Sequence, residues 1–335
     1  MKVTVLPGEG IGLEVIPAAM RVVDALGLRE PIVWEPHLIG QPAIEAYGVP
    51  LPQLTLDSIR RNKVALKGPT GTTVGGGHRS YNVRLREEFK LYANVRPVES
   101  MAGLKTRWSD THIDIVCFRE NLEDLYCGEE RMVGTDAEAI SRITVHGTKR
   151  IARYAFEYAR KNNRKKVTTV HKANILKMTH GLFLDIARAV AKEYPEIEHH
   201  DLIADAFLGK LINHPDRFDC ILLPNFVGDL VTDVCAEMVG GLGFAPGGNF
   251  GTNQVIFEAV HGTAPDIAGK GVANPTSAIL SAAMMLEHLG YSTPAVKVRA
   301  AVNAVLQQGT SVTGDVNPVN SVSTMEFTDA VISVL

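Results

Sequence analysis

Nowhere does the 335-residue chain hold the ~18 consecutive apolar residues that a bilayer-spanning helix needs, so a membrane protein is not expected. Strong charge of either sign is also missing. Lys and Arg number 34 against 37 Asp and Glu, and a net charge of -3 lacks the basic footprint of a nucleic-acid partner. Cysteine is sparse, and Cys117, Cys127, Cys220 and Cys235 show neither a CxxC pair nor zinc-ligand spacing, so they read as reduced thiols. The N-terminus enters directly into a strand-like pattern, without an apolar signal core or an Arg-rich presequence. The expected location is cytoplasmic, or mitochondrial for a processed eukaryotic chain. Internal repeats and low-complexity linkers are absent. So is a Rossmann fingerprint: "PGEGIG" spaces its glycines G-x-G-x-G, and no acidic residue closes a following βαβ unit. A dinucleotide, if used, binds by another route.

What is present is a chain with 45% apolar side chains, long enough for two domains or two lobes. "KVTVLP", "KVALKGP", "DIVCF", "KKVTTVHK" and "DCILLP" read as strands. "EVIPAAMRVVDALG", 145–162, 179–193 and "NPTSAILSAAMMLEHLG" read as helices, the last from Asn274-Pro275 to Gly290. Strands alternating with helices predict an α/β protein.

Several residues carry chemistry. Arg86, Arg96 and Arg119, with Ser80 and Asn82, suit a small polyanion, because each guanidinium presents a planar fork that fits a carboxylate. Asp229 and Asp233 stand four apart on a helix expected to start near Gly228. The spacing suits either a solvated acidic face or a Mg2+ or Mn2+ ion that relieves the repulsion of two carboxylates. Asp205, at a strand-to-helix junction, is a third candidate ligand or a helix cap. Lys172 closes a strand among apolar residues, with Asn174 two positions on. Partial burial there would lower its pKa and suit it to act as a base, although a snorkelling lysine fits the same pattern. Tyr126 is a core tyrosine unless a substrate lies beside it. In "AVHGTAPDIAGKGVANP" the glycines and Pro265 shape a tight loop, and His261 and Asn274 offer groups for a purine. Asp266 suits the two ribose hydroxyls of an adenosine. Against a 2′-phosphate the same carboxylate would cost roughly 4 kcal/mol per unit charge at ~4 Å.

These segments together resemble the isocitrate and isopropylmalate dehydrogenase family of decarboxylating β-hydroxyacid dehydrogenases. The likeness runs from "LPGEGIG" through "KGPTGTTVGGGHRSYNVRLR", "LYANVRP", "RENLEDLYCGEE", "HKANILK", "DAFL", "NFVGDLVTD" and "HGTAPDIAGKGVANPTSAILSAAMM" to "VTGDV". It implies a two-domain, non-Rossmann α/β fold. A large cofactor-binding domain would comprise 1–98 and 245–335, and a small substrate and dimer domain 99–244. It also implies a homodimer, or a larger assembly built on it, with shared active sites. By position, Arg86, Arg96 and Arg119 clamp substrate carboxylates. Asp229 and Asp233 hold the metal with Asp205 of a neighbouring subunit, and Lys172 with Asn174, also from the neighbour, faces Tyr126. Thr72 positions the nicotinamide. His261, Gly262, Thr263, Ala264, Asp266, Ile267, Asn274 and Asp315 hold the nucleotide.

The resemblance also bears on specificity. Ser80 and Asn82 match isocitrate enzymes, whereas isopropylmalate enzymes have apolar or acidic residues there. A buried hydroxyl and amide left unpaired by an isopropyl group would cost about 1–3 kcal/mol each. Asp266-Ile267 and Gly314 match NAD rather than NADP forms. The implied reaction is oxidation of isocitrate at C2 with Lys172 as base, loss of CO2 and protonation by Tyr126, giving 2-oxoglutarate. Glu9, Leu122, Cys127, Glu129 and His180 depart from the usual family residues. Leu122, which removes a hydroxyl near the substrate, keeps homoisocitrate as an alternative. A non-catalytic regulatory subunit of a hetero-oligomeric enzyme is the non-enzymatic one.

Overall fold

The structure, a computed structural model, describes residues 1–71 and 80–335. The chain forms two compact units. One comprises Met1–Leu85, Ser100–Ser109 and Ala236–Leu335, the other Arg86–Glu99 and Asp110–Cys235.

The first unit contains strands β1 (Lys2–Leu6), β2 (Val33–Pro36), β3 (Val64–Lys67), β11 (Pro246–Phe250) and β12 (Val255–Ala259). They lie in the order β2-β1-β3-β12-β11, parallel except for the antiparallel β11–β12 pair. The helices are α1 (Gly12–Ala25), α2 (Gln41–Tyr47), α3 (Gln53–Asn62), α9 (Thr276–His288), α10 (Ser292–Gln308) and α11 (Thr324–Ser333). Helix α9 is buried on all sides from Thr276 to Leu286, because α1, α10 and the sheet all pack on it. Its apolar sequence follows from that position, each fully buried Ile, Leu or Met contributing about 1.5–3 kcal/mol. Helix α1 is amphipathic instead, with Val15, Ile16, Ala19, Val22 and Val23 inward. The glycines of "PGEGIG" serve the chain's own packing. A Cβ on Gly8 would lie 2.1 Å from the Pro69 carbonyl oxygen, and one on Gly10 2.0 Å from that of Thr263.

The second unit contains β4 (Ala93–Glu99), β5 (Asp114–Glu120), β8 (Lys166–His171), β9 (Glu198–Ile203) and β10 (Cys220–Leu223), in the order β4-β5-β10-β8-β9. Strand β4 runs antiparallel to β5 and the others are parallel. Helices α5 (Val145–Lys161), α6 (Thr179–Ala191) and α7 (Ala204–Asn213) connect them, and Thr144 caps α5 by accepting from Gly147 N. A separate hairpin, β6 (Glu130–Val133) with β7 (Asp136–Ala139), is exposed along its whole length. Helices α4 (Tyr81–Glu88) and α8 (Asn225–Met238) span the points where the chain changes unit.

Two sequence expectations shift. The unit boundaries differ from 98 and 245: 86–99 goes with the second unit, since β4 pairs with β5 along its full length. Helix α8 begins at Asn225, three residues before Gly228. Among the described residues no helix is long and apolar enough to cross a membrane.

Candidate active site

Strand periodicity gathers the cationic side of the site in the second unit. Asn94 opposes Arg119 across the β4–β5 ladder, so Asn94, Arg96 and Arg119 share one face of the sheet. All three are buried, and Arg119 is 1% exposed. Helix α8 supplies the complementary groups. Arg119 forms an ion pair with Asp229, and its Nε and Nη2 donate to Asn225 Oδ1 at 3.0 and 2.8 Å. Arg96 Nη1 donates to Asp233 Oδ1 at 2.8 Å and to Thr232 Oγ1 at 2.9 Å, while its Nε donates to Asn94 Oδ1 at 3.0 Å. The helix reaches this close because residue 228 is glycine, where a Cβ would fall 2.5 Å from Arg119 Cγ.

Tyr126 sits in the short turn Leu125–Cys127, donates its hydroxyl proton to Asp229, and lies under the Arg119 guanidinium, 4.9 Å from the ring centre. Burial and the bond to Asp229 raise the Tyr126 pKa above the usual phenol value. Burial pushes the Asp229 carboxyl up. Arg119, the Tyr126 bond, Arg96 and Arg86 together outweigh it and hold the group below the ordinary carboxylate range. Burial first, then the neighbouring Arg86, lowers Arg119 to about 10, still fully charged near neutrality. The turn that carries Tyr126 is pinned by Asp124, a buried residue at φ 65°. Its Oδ2 accepts from Phe226 N at 3.0 Å, its other carboxylate oxygen accepts from Ser141 Oγ at 2.5 Å, and its N–H donates to Arg142 O at 2.7 Å.

Lys172 follows β8, and its ammonium is ion-paired with Asp205 in the first turn of α7. Its side chain is 34% exposed, hence partly buried, and it faces a carboxylate rather than apolar neighbours alone. The Lys172 bond holds Asp205 below the usual carboxylate value. Asn174 lies exposed in the following turn. Arg86 lies on α4 with Asn82, whose Oδ1 accepts from Thr70 Oγ1 at 3.1 Å, and Ser80 precedes that helix. Thr72 lies outside the described residues.

The first unit carries the candidate nucleotide loop. Ile11 N donates to Thr263 O at 3.0 Å and Gly269 N to Glu14 Oε1 at 2.6 Å, which dock the loop on the start of α1. Ala264 takes a positive φ of 41° at the bend, while Gly262 and Asp266 are exposed and Ile267 packs against the core. Asn274 Nδ2 donates to Asp315 Oδ2 at 2.8 Å, joining the loop to "VTGDV". His261 Nδ1 lies 3.0 Å from Gly262 O, and its Nε2 is buried without a hydrogen-bond partner among the described residues. That orphaned nitrogen is chemically suited to a nucleotide's polar groups.

For a metal, Asp229 and Asp233 are hard oxygen donors on one helix face, 37% and 53% exposed. They fit a divalent ion, but among the described residues no group of three metal-ligating side chains gathers within the chain. The sequence reading missed Asn225, Asp124, Asn94 and Thr232. Only Asn225 left a signal, an asparagine between a proline and a helical pattern.

Comparison with known proteins supplies the family. The isocitrate/isopropylmalate dehydrogenase family model matches residues 2–331. The chain is 46% identical over 315 residues to a probable mitochondrial NAD-isocitrate dehydrogenase subunit alpha of Drosophila melanogaster, covering 94% of this chain and 82% of that one. It is 46% identical over 334 residues to a 3-isopropylmalate dehydrogenase of Archaeoglobus fulgidus, covering 100% and 99%. A crystal structure of isocitrate dehydrogenase from Methylococcus capsulatus superposes with a TM-score of 0.96 at 47% identity, covering 99% of this chain and 98% of that one. With the arginine and aspartate cluster in one unit and the docked glycine loop in the other, the chain belongs to the isocitrate/isopropylmalate dehydrogenase family and has its two-domain, non-Rossmann α/β fold.

Proposed function

We propose that the protein oxidatively decarboxylates isocitrate to 2-oxoglutarate and CO2, with NAD as hydride acceptor. Overall identity does not select the substrate, because an isocitrate and an isopropylmalate enzyme are equally similar to it. One local observation carries the reading. Asn82 and Arg86 stand four apart on α4 and so share a face, and Ser80 precedes them. An amide and a guanidinium on one face suit a third carboxylate and leave an alkyl group without apolar partners.

Arg86, Arg96 and Arg119 would hold the substrate carboxylates, exchanging part of their pairing with Asp229 and Asp233. Tyr126, kept protonated by its raised pKa, is suited to deliver a proton to carbon after CO2 leaves. Lys172, with Asn174 and Asp205, would come from a second subunit of a homodimer and take the C2 hydroxyl proton. Mg2+ or Mn2+ held by Asp229, Asp233 and that Asp205 would acidify the hydroxyl, and NAD would accept the hydride. The unit with both termini would bind NAD through His261–Ala264, Asp266, Ile267, Asn274 and Asp315, with Thr72 near the nicotinamide. The carboxylate of Asp266 would disfavour a 2′-phosphate. The cellular site would be the cytoplasm, or the mitochondrion for a processed chain.

Initial rates with isocitrate, homoisocitrate and 3-isopropylmalate, each with NAD or NADP and Mg2+, test this. Fast NADH formation with isocitrate alone is the expected result. A preference for homoisocitrate would transfer the reading to the longer substrate and trace it to Leu122. No turnover with any of the three would favour a regulatory subunit.

A further inference from the structure

The segment that carries Lys172 is held from both sides by imidazole. His171, the last residue of β8, is 6% exposed, and its Nδ1 accepts from Ala173 N at 3.1 Å. His180, in the first turn of α6, is 2% exposed, and its Nδ1 accepts from Lys172 N at 3.0 Å. Two consecutive backbone donors therefore end on two buried ring nitrogens, one from a strand and one from a helix. The Lys172 carbonyl is fixed as well, accepting from Ile175 N at 3.0 Å and Leu176 N at 2.9 Å. The whole peptide environment of Lys172 is thus specified, and the side chain leaves it toward Asp205.

Both bonds require an unprotonated Nδ1, so each ring must be the neutral Nε2–H tautomer. The surroundings agree. His171 Nε2 lies 3.5 Å from Asp201 Oδ1, and Asp201 is itself held by Arg188 through Nε and Nη2 at 2.9 to 3.1 Å. Asp124 and His171 face His180, and Asp201, Arg188 and His180 itself face His171. Burial lowers both imidazole pKa values, partly offset by Asp201 at His171 and by Asp124 at His180. Protonating either ring would point an N–H at a backbone N–H, breaking the bond and repelling the turn.

We infer that His171 and His180 are positioning residues, a clamp of two neutral imidazoles that aims the Lys172 ammonium and releases it when either ring is protonated. The inference rests on the proposed role of Lys172 for its catalytic consequence, but not for its structural one.

The experiment compares wild type with His180→Leu, which removes the acceptor, and His180→Asn, whose Oδ1 replaces Nδ1 with an acceptor that does not titrate. Hydrogen exchange across 170–178, followed by mass spectrometry, reads the clamp without reference to activity. The Lys172 amide should exchange slowly in wild type and in His180→Asn, and about 10-fold faster or more in His180→Leu. In the enzyme loaded with metal and NAD, His180→Leu should lose about 100-fold in kcat with little change in KM, since misplacing a reacting group by about 1 Å costs that much. His180→Asn should recover most of the loss, and the double variant His171→Asn/His180→Asn, which leaves neither ring to titrate, should flatten the acid limb of the kcat profile. Wild-type exchange and wild-type kcat in His180→Leu would overturn the clamp. If His180→Leu does not fold, an acid limb in the double variant His171→Asn/His180→Asn identical to wild type, with unchanged acid dependence of amide exchange, overturns it equally. Loss of protection without any turnover in wild type would instead refute the role given to Lys172 and leave the clamp standing.

Discussion

Replacing Asn225 by alanine is expected to damage the site from a position that need not touch substrate. Asn225 is fully buried at the first position of α8, and its carbonyl oxygen accepts both Nε and Nη2 of Arg119. Its amide donates to Glu123 O at 3.1 Å, which ties the helix to the segment leading into Tyr126. Arg119 is 1% exposed, so water does not replace the lost acceptor without rearrangement. A hydrogen bond to a charged group is worth about 1.5–3 kcal/mol, and an orphaned buried charge costs at least as much. Two such bonds and the Glu123 link set the expected loss at about 3–5 kcal/mol of stability in the second unit. Urea unfolding followed by a probe in that unit measures it, since two units need not melt together. Arg119 freed from its fork should also raise KM for the substrate about 10-fold or more, because bidentate geometry depends on a fixed guanidinium. Asn225→Asp retains the acceptor and should lose less. A loss below about 1 kcal/mol with unchanged KM would refute the view that Asn225 organises Arg119.

Gly228→Ala should displace Arg119 or the helix, because the new methyl carbon would stand 2.5 Å from Arg119 Cγ; KM should rise and the melting temperature fall, and wild-type values for both would count against that packing. Tyr126→Phe removes the hydroxyl donated to Asp229, and kcat should fall about 100- to 10,000-fold with the fold intact by circular dichroism. Glu120 is 3% exposed, and burial raises its pKa from 4.5 to about 7. The folded chain then binds a proton that the unfolded chain releases, so stability falls as pH rises through 4.5 to 7. Glu120→Gln should remove that slope and stabilise the protein above pH 7 by roughly 3 kcal/mol, read from urea midpoints across pH; an unchanged slope would refute the assignment. Asp266→Asn should narrow the preference for NAD over NADP by about 10-fold, measured as the ratio of kcat/KM values, and an unaltered ratio would remove Asp266 from the nucleotide site.

The strands and helices that the sequence made legible were those set by local patterns. Period-two runs gave β1, β5, β8 and β10, and the strongly apolar sequence of α9 marked a helix buried on every side. The residue types that carry the chemistry were legible for the same reason, since guanidinium, carboxylate and phenol are properties of single residues. The start of α8 was misjudged because Gly228 looks like a boundary, whereas it is an interior position kept small by Arg119. The glycines of "PGEGIG" were likewise opaque, because what they accommodate are the carbonyls of Pro69 and Thr263, far along the chain.

Pairing was decided only by the tertiary structure. Arg96 with Asp233, Arg119 with Asn225, and Lys172 N with His180 each depend on where a strand face meets a helix, which no local pattern encodes. The sequence by itself determined the chemical inventory and the alternating α/β plan, through side-chain chemistry and hydrophobic periodicity. The packed fold decided which carboxylate each arginine meets, which asparagine holds it, and why the turn bearing Lys172 needs two neutral histidines, because burial makes every unpaired polar group costly and leaves one arrangement that pairs them.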